Sequence, residues 1–155
     1  MTTPPREPGD RQPPRPDTPG PPGPVVLSDA GLAFVTDRHL ATLSTVRRDG
    51  SPHVVPVAFT WDAARGRARI TTRSTSVKAR RIARGGPDGE PLPAALCQVD
   101  GRRWMTLEGT ITLSDDPADV AEAVERYADR YRVLGEQPTR VVLHLQVARV
   151  LGTVR

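Results

Sequence analysis

Along most of this chain apolar and polar side chains alternate with a period of two, the pattern of strands with one buried face. Leu40 to Val46 reads as a strand, and the Asp-Gly pair in Arg47-Arg48-Asp49-Gly50 predicts a hairpin turn after it. The returning strand runs from Pro52 to Trp61, with His53, Val55, Val57, Phe59 and Trp61 on one face. A turn at Asp62 to Gly66 leads into a third strand, Arg67 to Thr72. Ala94 to Val99 and Arg103 to Leu113 pair across Asp100-Gly101, with Met105, Leu107, Ile111 and Leu113 opposite Trp104, Thr106, Glu108, Thr110 and Thr112. Arg140 to about Val150 is a sixth strand, in which Val141, Leu143, Leu145 and Val147 alternate with Val142, His144 and Gln146.

Three short helices interrupt this pattern. Ser28 caps the first, Asp29 to about Asp37. The second runs from about Ser76 to Arg84 and ends at Gly85-Gly86. Asp116-Pro117 opens the third, with cap and proline in the preferred order. Val120, Ala123, Val124, Tyr127, Ala128 and Tyr131 then recur at helical spacing, one buried stripe. Helices and strands do not alternate regularly, which argues against a doubly wound sheet. The expected fold is α+β and mainly β, a small antiparallel barrel of six strands, because closure removes exposed edges.

Composition sets the boundaries. Ten of the 17 prolines fall within Met1 to Pro24, a stretch with no Val, Leu, Ile, Phe, Tyr or Trp. It lacks the apolar surface that offsets chain entropy, so residues 1–26 read as a disordered Pro-rich tail and 27–155 as one domain. No run approaches a membrane span, the start of the chain lacks a secretory signal's apolar core, and Cys97 is the one cysteine. A reducing cytoplasm is the expected location, with Cys97 as a small buried hydrophobe. The tail carries three arginines and three acids, so the net charge of +4 belongs to the folded part. That charge favours anionic ligands in general.

No nucleophile motif is present: no serine sits in a glycine-flanked elbow, and His39, His53 and His144 lack metal-ligand spacing. No metal site is expected. An enzyme of this composition would leave the hard chemistry to a cofactor.

Two local features carry more information. Thr71-Thr72-Arg73-Ser74-Thr75-Ser76 joins a strand end to a helix start, and Lys78 follows in the first helical turn. A cation there opposes the helix dipole by about 0.3–1 kcal/mol, whereas a bound anion reverses the sign. A phosphate site and a solvated, serine-capped helix with a tolerated lysine both stand on these residues alone. Pro56, inside His53-Val54-Val55-Pro56-Val57, cannot donate to a ladder. It marks either a plain edge or a gap against which a flat ring can lie.

These pieces, with Leu27-Ser-Asp-Ala30, Arg38-His-Leu-Ala41, Ser51-Pro-His-Val-Val55, Phe59-Thr60, Gln98-Val-Asp-Gly101, Arg103-Trp104, Leu107-Glu-Gly109, Arg126-Tyr-Ala128, Arg130-Tyr-Arg132 and Arg149-Val-Leu-Gly152, form an ordered set. The set resembles the split β-barrel flavin/deazaflavin oxidoreductases, the pyridoxamine 5′-phosphate oxidase-like superfamily. The similarity is greatest to the branch using coenzyme F420, its biliverdin reductases in particular, over about Leu27 to Gly152.

The resemblance implies a homodimer with the cofactor in a groove between protomers. The deazaflavin would rest on His53, Val54, Val55, Pro56 and Val57, and its phosphate would meet Thr71, Thr72, Arg73, Ser74 and Lys78. Arg130 and Arg132 would approach from the partner chain. The implied activity is hydride transfer from reduced F420 to a conjugated acceptor, biliverdin or a similar tetrapyrrole. The alternatives are an FMN-binding oxidoreductase of the same fold and a non-catalytic flavin, deazaflavin or haem-binding module. Neither nucleic acid nor membrane is an expected partner.

Overall fold

The computed structural model describes residues 23–154; most of the Pro-rich stretch lies outside them. The elements in order are α1 (Asp29–Thr36), β1 (Ala41–Val46), β2 (Pro52–Val57), β3 (Thr60–Asp62), β4 (Arg67–Arg73), α2 (Val77–Arg84), β5 (Leu92–Asp100), β6 (Arg103–Ser114), α3 (Pro117–Arg130) and β7 (Arg140–Gly152). Caps set the helix ends. Ser28 Oγ accepts from the Gly31 amide at 3.0 Å, Ser76 Oγ from Ala79 at 3.2 Å, and Asp116 from Ala118 and Asp119. The chain packs against the core from Val25 onward.

One antiparallel sheet of seven strands is formed, in the order β2-β1-β5-β6-β7-β4-β3. The expected six strands are thus corrected to seven, and the sheet is not closed by hydrogen bonds. The extra strand arises where Pro52 to Trp61 breaks at Ala58-Phe59. Phe59, Thr60 and Asp62 are all buried, so strict alternation ends at this joint and the chain turns a corner. The two edge strands β2 and β3 are consecutive in sequence, only Ala58 and Phe59 between them. Three Cα steps hold their near ends within about 11 Å. The sheet therefore curls back on itself and stops at an open seam.

Leu43, Ile70, Leu96, Leu107, Ile111, Leu143 and Leu145 fill the interior, with Phe34 of α1 and Phe59 of the corner, each at most 2 % exposed. Val141 through Leu145 are buried without alternation, because β7 lies in mid-sheet and α3 covers its outer side. β6 and β7 shift register at Glu108/Gly109, leaving Ala148 as an extra residue. Gly109 is required there: a Cβ would stand 1.8 Å from the Gln146 carbonyl oxygen.

Under α3 sits a charged layer. Asp62 carboxylate oxygens meet Arg65 (3.1 Å), Arg67 (3.1 Å) and Arg69 (2.8 Å), and Arg69 also meets Glu122 at 2.6 Å. Asp119 of α3 accepts from Ser114 at 2.7 Å and faces His144 Nε2 at 3.4 Å. His144 is buried and its Nδ1 finds no partner among the described residues. Burial, then the nearby Arg67 charge, holds the imidazole below its usual pKa against the pull of Asp119. The neutral form is favoured in the folded state, so folding stability is fully present above pH ~6.5 and declines as pH falls below that value. Unfolding measured from pH 8 to 5 is expected to lose stability at up to about 1.4 kcal/mol per pH unit. His144→Gln should flatten most of that slope; the remainder belongs to His53, displaced in the same direction.

Candidate functional site

A groove of about 720 Å³ opens between the end of β2, the β4–α2 connection and the chain that leaves α3. The pairing of β4 with β7 creates it. Arg73 and Arg140 face each other at the last rung of that ladder, and the Ser74 amide donates to the Thr139 carbonyl at 2.7 Å. The segment before α2 is thereby tied to the segment before β7. Pro56, Val57 and Ala58 form the third side, where the proline is accommodated because β2 is an edge strand.

The groove is cationic. Arg73, Lys78, Arg132 and Arg140 line it against a single acid, Glu136, with the hydroxyl side chains of Thr71, Thr72, Thr75 and Ser76 between them. Like charges directly opposite on a ladder repel, so the Arg73–Arg140 rung is unfavourable until an anion lies across it. Arg140 is steadied by donating to the Gly135 carbonyl at 2.8 Å. Thr72 Oγ1 and Ser76 Oγ lie 3.2 Å apart and hold the approach to α2.

Lys78 is half-buried and makes no hydrogen bond or ion pair among the described residues. Burial alone lowers its pKa. An unpaired cation in the first turn of a helix is unfavourable on two counts, desolvation and the dipole. A bound phosphate relieves both.

Seven of the twelve residues expected at the site meet in this groove: Pro56, Val57, Thr71, Thr72, Arg73, Lys78 and Arg132. His53, Val54 and Val55 lie farther along β2. His53 and Val55 stand opposite Thr45 and Leu43 and are half-buried, whereas Val54 is exposed. Burial, then the charges of Arg81, Arg47 and Lys78, lowers the His53 pKa. Ser74 is exposed and is not among the residues lining the groove; its amide donates to the Thr139 carbonyl. Arg130 is not in the groove. It donates to the carbonyls of Asp37 and Phe59 and to Gln98 within its own chain.

Sequence reasoning missed Arg140, Tyr127, Glu136 and Gln137, which complete the far wall. Tyr127 looked like part of the apolar stripe of α3. The opposition of Arg73 and Arg140 needs a strand pairing that no single segment reveals.

The family described as Pyridoxamine 5'-phosphate oxidase matches residues 27–153. An F420H(2)-dependent biliverdin reductase of Mycobacterium tuberculosis (strain CDC 1551 / Oshkosh) is 47% identical over 127 residues, 82% of this chain and 88% of that protein. Among solved structures, the conserved hypothetical protein Rv2991 of Mycobacterium tuberculosis superposes with a TM-score of 0.67 at 21% identity, covering 83% of this chain and 85% of that one. A structure described as F420 Reductase gives 0.60 at 23% identity, covering 77% and 94%. These two likenesses concern the fold.

Proposed function

The chain belongs to the pyridoxamine 5′-phosphate oxidase family, and on that footing we propose that it is an F420-dependent reductase acting on a conjugated acceptor, biliverdin or a similar tetrapyrrole. The observation that carries the reading is the groove itself, with four cations against one acid and, at a helix start, a half-buried lysine that has no partner among the described residues. F420 bears a phosphate and, beyond it, a carboxylate-rich tail. The residues present fit such a ligand, and fit FMN, which ends at its phosphate, less well.

Lys78, the α2 amides and the hydroxyls of Thr71, Thr72 and Ser76 are assigned to the phosphate. Pro56, Val57 and Ala58 are assigned to the flat ring. Arg73, Arg132 and Arg140 take carboxylates, from the cofactor tail or from acceptor propionates, in the bidentate manner guanidinium allows. Reduced F420 supplies the hydride when bound. The protein's part is to orient the two reactants and to exclude water from between them. The acceptor also gains a proton, and the Tyr127 hydroxyl lines the groove as a candidate donor.

The reading includes a homodimer. The face of the sheet bearing Val46, Val54, Val99, Trp104 and Leu151 is exposed. It holds a shallow depression of about 610 Å³ lined by Ser44, Pro52, Ala95 and the Glu108–Arg149 pair. Pro56 belongs both to the rim of the cofactor groove and, by its pairing with Thr42, to this face. A second copy docked here would wall the groove. Light scattering at micromolar concentration is expected to return twice the mass of 16.8 kDa. A compact monomer would remove the dimer from the account.

Equilibrium titration with F420 and with FMN, each followed by its fluorescence, tests the cofactor assignment. Tight F420 binding and weak FMN binding are expected. The reverse order would make this an FMN protein of the same fold, and binding without turnover of any acceptor would make it a carrier.

A further inference from the structure

The two residues that end α3, Arg130 and Tyr131, are bound into three other parts of the molecule. The Arg130 guanidinium donates to the Asp37 carbonyl at 2.9 and 2.6 Å, to the Phe59 carbonyl at 2.5 Å and to Gln98 Oε1 at 2.8 Å. Gln98, itself 2 % exposed, passes the connection on to the Phe34 carbonyl at 2.6 Å. The same guanidinium lies over the Phe59 ring, 4.4 Å from its centre. The Tyr131 hydroxyl donates to the His39 carbonyl at 2.7 Å and accepts the Phe59 amide at 3.3 Å.

Phe59 is the corner between β2 and β3, where no ladder joins the sheet's two edges. Its amide, its carbonyl and its ring are all held from α3. Backbone groups that a closed barrel would satisfy by pairing are satisfied here by two side chains. Pro56, Val57 and Ala58, which line the groove, lead directly into this corner.

We propose that Arg130 and Tyr131 are positioning residues: they latch the open seam of the barrel and so fix the strand end on which the cofactor ring rests. The proposal rests on the assignment of the groove to F420. Displacing that strand end by a fraction of an ångström should loosen the ring while leaving the phosphate end, built on β4 and α2, undisturbed.

Arg130→Lys keeps a charge but cannot reach all the acceptors of the guanidinium fork, and Tyr131→Phe removes one hydroxyl. Three quantities separate a latch from a general support: F420 affinity, inorganic pyrophosphate affinity read from the Thr72 and Lys78 amide shifts, and amide hydrogen exchange. In Arg130→Lys the F420 dissociation constant should rise about tenfold, because binding must then also order the loosened strand end. Pyrophosphate affinity should stay constant. The Phe59 amide should exchange faster in both variants while Leu143, in mid-sheet, keeps its protection.

Unchanged F420 affinity alongside an unprotected Phe59 would overturn the proposal. So would loss of protection at Leu143 in step with Phe59, which marks a general loss of fold. If the unmodified protein binds no F420, the cofactor reading itself fails. The latch is then decided by the Val57 and Ala58 amide shifts: movement confined to them in Arg130→Lys sustains it, and none overturns it.

Discussion

Lys78→Ala is expected to weaken F420 binding by about 1.5–3 kcal/mol, the range for a hydrogen bond to a charged group. The same change should leave the cofactor-free protein as stable as before, or slightly more stable. Both halves come from one fact: Lys78 is half-buried without a partner among the described residues. Burial strips water from the ammonium, and the helix start adds about 0.3–1 kcal/mol of unfavourable dipole interaction. Removing the charge relieves that cost. Filling the groove with a phosphate converts the cost into binding energy, and the alanine variant forfeits it. Lys78→Arg should rescue poorly, because a planar fork on a longer stem does not fit where a compact charge meets phosphate in a tight turn. Fluorescence titration gives the affinity, and a thermal melt without cofactor gives the stability. A large fall in melting temperature with unchanged affinity would make Lys78 structural.

The largest effect on stability is expected at Asp62. Asp62→Ala should cost about 3–5 kcal/mol, the range for breaking a buried ion pair. Asp62 and Arg69 expose 5 % and 4 % of their side chains, so neither charge can turn to water. Burial alone would raise the Asp62 pKa, but hydrogen bonds from Arg65 and Arg67 and the Arg69 charge hold it below the usual carboxylate range. With the carboxylate gone, Arg69 retains among the described residues only Glu122, which is 35 % exposed and screened. The double variant Asp62→Leu with Arg69→Met should regain most of the loss, because it removes both buried charges together. Urea unfolding checks this: the midpoint should fall sharply in the single variant and recover in the double, at constant slope. Equal losses in both would mean that packing, not charge, dominates the site.

How much of this was legible in the sequence depended on how local each feature is. Ser76, Gly85, Asp116 and Pro117 set helix ends through their own chemistry: α2 begins and ends, and α3 begins, where those residues predict. The hairpin at Asp49-Gly50 needed only its turn residues, and Gly50 adopts a φ of 83° there. The break at Ala58-Phe59 was invisible, because His53 to Trp61 alternates without interruption and only the curl of the sheet forces the corner. The groove divides in the same way. Thr71 to Lys78 is contiguous, so its anion-binding character could be read directly. Arg140 joins it only through the register of β4 with β7, and Tyr127 only through the direction in which α3 leaves the sheet. Arg130 and Arg132 are neighbours of identical chemistry, yet one is locked onto Phe59 and the other lines the groove. A sequence names the guanidinium but not the carbonyls it meets.

The most direct test of the central claim is turnover. Purified protein is mixed with reduced F420 and biliverdin, and oxidation of the deazaflavin is followed together with loss of the biliverdin absorbance. One reduced F420 should be consumed per acceptor reduced, at a rate that falls when Lys78 is replaced by alanine. Tight retention of FMN, with no consumption of reduced F420 in the presence of biliverdin or another conjugated acceptor, would contradict it.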